Sequence, residues 1–203
     1  MELLKKYKTW EIVVALLPPL FVVDRCWHLL HDEYPSTLYQ GISYAIDVFY
    51  SAILIYSFFC MYRGARQSGR FPKLMLLLII AVTAMQLYFF VPKPEYDIFN
   101  TSTPYYIYSG IQAVLTLFYT VVMIIAIIRM LKEKLTVLAV TCICMALAIP
   151  LLSTLVFTLI PISFANQYPH LLVINGQIFF MLTALCFSVL FLHRNDFYQP
   201  DSD

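Results

Sequence analysis

"YYIYSGIQAVLTLFYTVVMIIAIIRM", residues 105 to 130, decides the fold. Its first charged residue, Arg129, comes at the very end. The hydrocarbon core of a bilayer is about 30 Å thick, and a helix rising 1.5 Å per residue crosses it in roughly 20 mostly apolar residues. A helix that is apolar all round has no exposed face for water, so its solvent is lipid or the interior of a large protein. The rest of the chain settles which. Of 203 residues, 61% are hydrophobic and 12% charged, with a mean hydropathy of +0.77. Soluble domains carry about 45–50% apolar and about 25% charged residues.

Working outward from 105–130, the same reading gives six spans, near 10–30, 41–62, 73–91, 105–130, 135–162 and 169–193. Short connectors rich in Pro, Gly, Asn and Ser separate them. No linker, second domain or short repeat interrupts 1–203, and no small-residue cleavage site follows the first apolar run. The expected fold is a single all-α domain, a polytopic membrane bundle of six transmembrane helices. A barrel would instead need short alternating strands.

Charge orients the bundle. Lys5, Lys6 and Lys8 precede the first span. Arg63, Arg66, Arg70 and Lys73 lie around the second connector, Arg129, Lys132 and Lys134 around the fourth, and Arg194 after the sixth. With six alternating spans all of these fall on one side, and only Arg25 and Lys93 fall on the other. The positive-inside rule then places both termini in the cytoplasm. The membrane is expected to be a plasma or inner membrane, or an endomembrane in a eukaryote. A net charge of +1 gives no basic stripe for nucleic acid.

Polar residues inside the spans gather at one depth. Asp24 and Arg25 lie about six residues, roughly 9 Å, from the outer end of the first helix, and Asp47 lies about as far into the second. Gln86, Gln112, Asn175 and Gln177 fall in the same outer slab, whereas the inner halves read "LLLIIAV" and "VVMIIAII". An acid at a helix centre costs about 2.5–3.5 kcal/mol on insertion scales, so such groups face the bundle interior or water. Asp24, Asp47, Gln86, Gln112, Asn175 and Gln177 are therefore the expected ligand-binding residues. A structural alternative stands beside this. Arg25 and Asp47 can form an ion pair between two helices, and amides can act as interhelical glue worth roughly 0.6 kcal/mol each. Pro18-Pro19 is expected to kink or break the first helix, leaving carbonyls that need partners, and Pro150 marks a kink in the fifth.

The cysteines, Cys26, Cys60, Cys142, Cys144 and Cys186, sit in apolar runs and form no CxxC, so they read as small buried hydrophobes. His28 and His31 share a helix face but lack further ligands, so neither a metal nor another cofactor is indicated. Asn100-Thr101-Ser102 is a glycosylation sequon on the expected outer side. No nucleophile elbow, HExxH or Walker loop is present. The expected function is non-enzymatic: binding of a small or lipidic ligand in the outer polar layer, as a sensor, receptor or accessory subunit. Expected partners are membrane lipids, a small apolar ligand, and a homo-oligomer or larger membrane complex. Two other readings stay open, a subunit of an oligomeric channel or small transporter, and an intramembrane lipid-modifying enzyme using Asp24 and Asp47.

"LPPLFVVD", the following "YP", and Asp47 opening the next apolar run resemble the start of EXPERA-domain sterol-binding membrane proteins. The resemblance covers about the first sixty residues and implies an apolar cavity with acids at its mouth. That family's long polar loop is missing and two further spans follow, so the chain is not assigned to it.

Overall fold

The computed structural model describes residues 7–30, 37–91, 103–159 and 169–198. Within these, the side chains of 18, 24–30, 37–40, 42–43, 103, 157, 169–177 and 198 lie outside the description. The described chain is all helical. The elements are α1 (Thr9–Leu30), α2 (Thr37–Ser68), α3 (Pro72–Phe89) and α4 (Thr103–Lys132), then α5 (Thr136–Ile143), a π-helical turn (Cys144–Ala148), α6 (Ile149–Leu159), α7 (Pro169–Leu192) and a 3-10 turn (Asp196–Tyr198). Because α5, the π turn and α6 run on without a break, these form six rods. Among the described residues, Tyr44–Ser68, Pro72–Phe89, Pro104–Lys132 and Thr136–Val156 are long and apolar enough to cross a membrane. Thr9–Val23 and Ile178–Leu192 are shorter apolar helices. The chain is membrane-embedded by length and composition.

α2 is longer than the sequence reading of 41–62. Its 32 residues correspond to roughly 48 Å, well beyond the hydrocarbon thickness. The extra turns carry Arg63 and Arg66, whose charges belong outside the hydrocarbon.

α7 packs on α1, α2, α5 and α6, while α3 bridges α2 and α4. The main core takes a stripe from each of three rods: Leu54, Phe58, Met61 and Ala65 from α2, Met75, Leu78 and Val82 from α3, and Met123, Ala126 and Met130 from α4. The spacing of three and four residues within each stripe is that of one helix face. Leu138, Cys142, Leu190 and Phe197 complete it.

The core lies toward the end where the two basic turns meet. Arg70 in the α2–α3 turn is 3.7 Å from Glu133 in the α4–α5 turn. Phe197 packs edge-on against Phe71, with ring centroids 5.7 Å apart. The α4–α5 turn closes as a Schellman motif. Lys134 takes φ 59°, Leu135 N–H donates to Met130 O at 2.9 Å, and Lys134 N–H donates to Leu131 O at 3.2 Å.

The first and last helices are clasped at this same end. Arg194 is 4% exposed. Its Nη2 donates to Glu11 Oε1, its Nη1 donates to Phe191 O at 2.6 Å, and its guanidinium carbon lies 4.2 Å from the Phe191 ring centroid. Glu11 Oε2 accepts from the Lys8 backbone N–H at 2.9 Å, which is half of a capping box at the start of α1. Burial, and after it the charges of Asp196 and Glu11, raise the Tyr7 hydroxyl above its ordinary pKa.

Pro18-Pro19 does not break α1, one of the two outcomes expected of it. Thr9–Leu30 is one helix through Pro18-Pro19. The carbonyl four residues before Pro19 is that of Ala15, and Ser188 Oγ of α7 donates its one proton to it at 2.5 Å in preference to Ala184 O at 3.0 Å. A neighbouring helix thus supplies the hydrogen bond that proline removed, and the helix stays whole. At Pro150 the chain takes another route. The turn before it widens to π geometry, with Ile149 N–H bonded to Cys144 O. A widened turn relieves the clash between a proline ring and the carbonyl of the preceding turn.

Candidate functional site

Away from the basic end, α2, α3 and α7 enclose a cavity of about 150 Å³. α2 contributes Asp47, Tyr50 and Ser51, α3 contributes Gln86 and Phe89, and α7 contributes Phe180, Thr183, Ala184 and Phe187. Asp47 and Ser51 are one turn apart, which places both on the same face of α2. Gln86 reaches that face from the last turn of α3.

Ser51 joins the acid's turn to the amide. Its Oγ is 2.7 Å from Gln86 Oε1 and 3.0 Å from Asp47 O. A hydroxyl has one proton, so it donates to one of these acceptors at a time. Turning the Gln86 amide by half a rotation brings its NH2 to Ser51 Oγ and leaves the hydroxyl proton for the Asp47 carbonyl. Thr183 Oγ1 donates to Phe179 O at 3.0 Å, which leaves its oxygen as an acceptor toward the cavity. The other lining residues are Ala184, the phenylalanine rings of Phe89, Phe180 and Phe187, and Tyr50.

The structure therefore brings Asp47 and Gln86 together. Gln112 lies on an exposed stretch of α4 and does not line this cavity. Thr158, on α6, is exposed as well. The side chains of Asp24, Arg25, Asn175 and Gln177 lie outside the described residues, and with them the expected Arg25–Asp47 ion pair and the expected facing of Asp24. Ser51 and Thr183 were missed by the sequence reading. Small hydroxyls are common in apolar helices, where they bond back to their own backbone. The available signal for Ser51 was its spacing of one turn from Asp47.

At the same end Tyr88 Oη donates to Tyr108 O at 2.7 Å, and the two rings stack at 4.9 Å between centroids. This ties the last turn of α3 to the start of α4. Among the described residues no cluster of three His, Cys, Asp or Glu side chains could hold a metal ion. Burial pairs Cys142 with core residues such as Leu138 and Met145.

No family model, curated protein or solved structure matches the chain.

Proposed function

We propose that this chain is a six-span membrane protein that binds a small or lipidic ligand in the cavity between α2, α3 and α7, and acts as a sensor, receptor or accessory subunit. The observation that carries this reading is the meeting of Asp47 and Gln86, from two helices, in a hollow walled by aromatic rings. A carboxylate and an amide are expensive at membrane depth, and such residues default to a functional role. The volume, about 150 Å³, accommodates a group the size of benzene. It therefore suits a small molecule, or one end of a larger amphiphile. The acceptor oxygens of Asp47 and Thr183 favour a ligand group that donates hydrogen bonds.

In this reading both termini and both basic turns are cytoplasmic, and the cavity opens toward the outer leaflet. Support comes from the charge pattern, since the basic turns and the Glu11–Arg194 clasp gather at one end. Cysteine labelling at Gln67 and Thr101, in a cysteine-free background, tests the orientation. Labelling of position 67 from outside intact cells would reject it.

Ligand binding is tested by extracting small molecules that copurify with the protein and weighing them by mass spectrometry. Ala184→Phe fills the cavity, and Asp47→Asn removes its charge while keeping its shape. A bound molecule should fall at least about ten-fold in both variants, a loss of about 1.4 kcal/mol in affinity. Wild-type amounts in both variants would end the ligand reading. If Asp47 instead serves only Arg25, Asp47→Asn loses stability and the added change Arg25→Gln restores it.

A further inference from the structure

A second hollow lies at the opposite, basic end. It has a volume of about 520 Å³, between the α2–α3 turn and the last turns of α4. Phe71, Pro72, Leu74 and Ile125 form its apolar walls, and Lys73 and Arg129 are its two charged members. Two other cations at this end have acidic partners within the chain, Arg70 in Glu133 and Arg194 in Glu11. Lys73 and Arg129 are exposed and have no acidic partner among the described residues. Two like charges on one hollow repel each other, and an anion placed between them removes that repulsion.

The position selects the anion. α3 begins at Pro72 and α4 ends at Lys132, so the hollow sits where membrane-crossing helices leave the hydrocarbon. Its apolar walls continue into the exposed faces of the same helices, at Leu76, Leu77 and Ile128. A free inorganic ion has no use for such walls, whereas an acyl chain does. We propose that this hollow binds an anionic phospholipid, with the phosphate between Lys73 and Arg129 and a chain along the α3–α4 surface. The site is independent of the cavity at Asp47, and either can fail without the other.

Native mass spectrometry of the detergent-purified chain tests this with dioleoylphosphatidylglycerol, dioleoylphosphatidylcholine and inorganic phosphate as probes. The wild type should retain the glycerol lipid in preference to the choline lipid, with phosphate failing to displace it. Near an anionic membrane surface each Lys or Arg contributes roughly 1 kcal/mol, so Lys73→Gln with Arg129→Gln should retain the lipid about thirty-fold less, and each single change about five-fold less. Lys132→Gln, one turn along α4 and outside the hollow, should retain it as the wild type does. Equal retention of the two lipids overturns the proposal, as does full retention by the double variant. A loss in Lys132→Gln as large as in the double variant points to a diffuse basic collar and overturns it too. Displacement by phosphate shows a free-anion site instead.

Discussion

At the basic end Phe58, Met61, Met75, Met123 and Met130 have no exposed surface, and two ion pairs join the turns and the chain ends. Farther along the same rods, Val114 and Leu117 of α4 are 68% and 66% exposed, and a largely apolar cavity holding Asp47 and Gln86 lies between α2, α3 and α7. Gln112 and Met123 are three helical turns apart and project within about 20° of each other, yet one is exposed and the other enclosed. The face of α4 does not change between them. What changes is its cover: Met123 belongs to the main core, and Gln112 does not. A bundle that is dense at one end and open at the other can hold its topology at the first and accommodate a guest at the second.

The largest expected effect tests the dense end. Phe58→Ala should cost about 4 kcal/mol, because a close-packed site leaves a void that cannot collapse. Leu117→Ala, the matching truncation at the open end, should stay within about 0.5 kcal/mol. Thermal unfolding in one detergent compares them, and equal losses would break the contrast.

Next comes the clasp. Arg194→Gln strands the Glu11 carboxylate and should cost about 3 kcal/mol. Replacing both Glu11 and Arg194 by leucine should recover most of it, since a buried pair adds little beyond what apolar packing supplies. No recovery in a melting experiment would show that the aromatic ring contacts of Arg194 matter more than its charge.

A smaller loss, about 1 kcal/mol, is expected for Ser188→Ala, which leaves the Ala15 carbonyl without its donor. Pro19→Ala returns a backbone N–H to that carbonyl. In that background Ser188→Ala should cost markedly less, and a double-mutant cycle without coupling would reject the compensation. A lesser loss again, roughly 0.6 kcal/mol, the average for interhelical hydrogen bonds in membranes, is expected for Ser51→Ala. A loss several times larger would mean that the open end is held more tightly than its exposure indicates.

The rods themselves were plain in the sequence, because lipid demands length and apolarity and 105–130 supplies both. The sorting of charges was plain for the same reason. Rotation was not. A helix that is apolar all round has no contrast between faces, so hydropathy could place Gln86 and Gln112 at one depth but could not say that only Gln86 meets Asp47. Arg194 was legible as a basic residue at a helix end, and its partner was not, since Glu11 lies at the opposite end of the chain. The prolines show a further limit. Pro19 and Pro150 each remove one backbone donor, but whether the chain answers with a serine from the next helix or with a widened turn depends on what packs beside it.

The widened turn at Cys144–Ala148 also fixes how the fifth rod tolerates change. One turn holding an extra residue delays everything after it by about 100°. Inward positions below it, Leu138 and Cys142, therefore keep a different clock from the residues of α6 above. Removing a single residue from Cys144–Ala148 would restore ordinary winding, press the Pro150 ring toward a carbonyl, and rotate the whole of α6 against α7. Substitutions here alter one contact, whereas a deletion alters all of them at once. The segment works as a length gauge, and the number of its residues constrains it more than their identity.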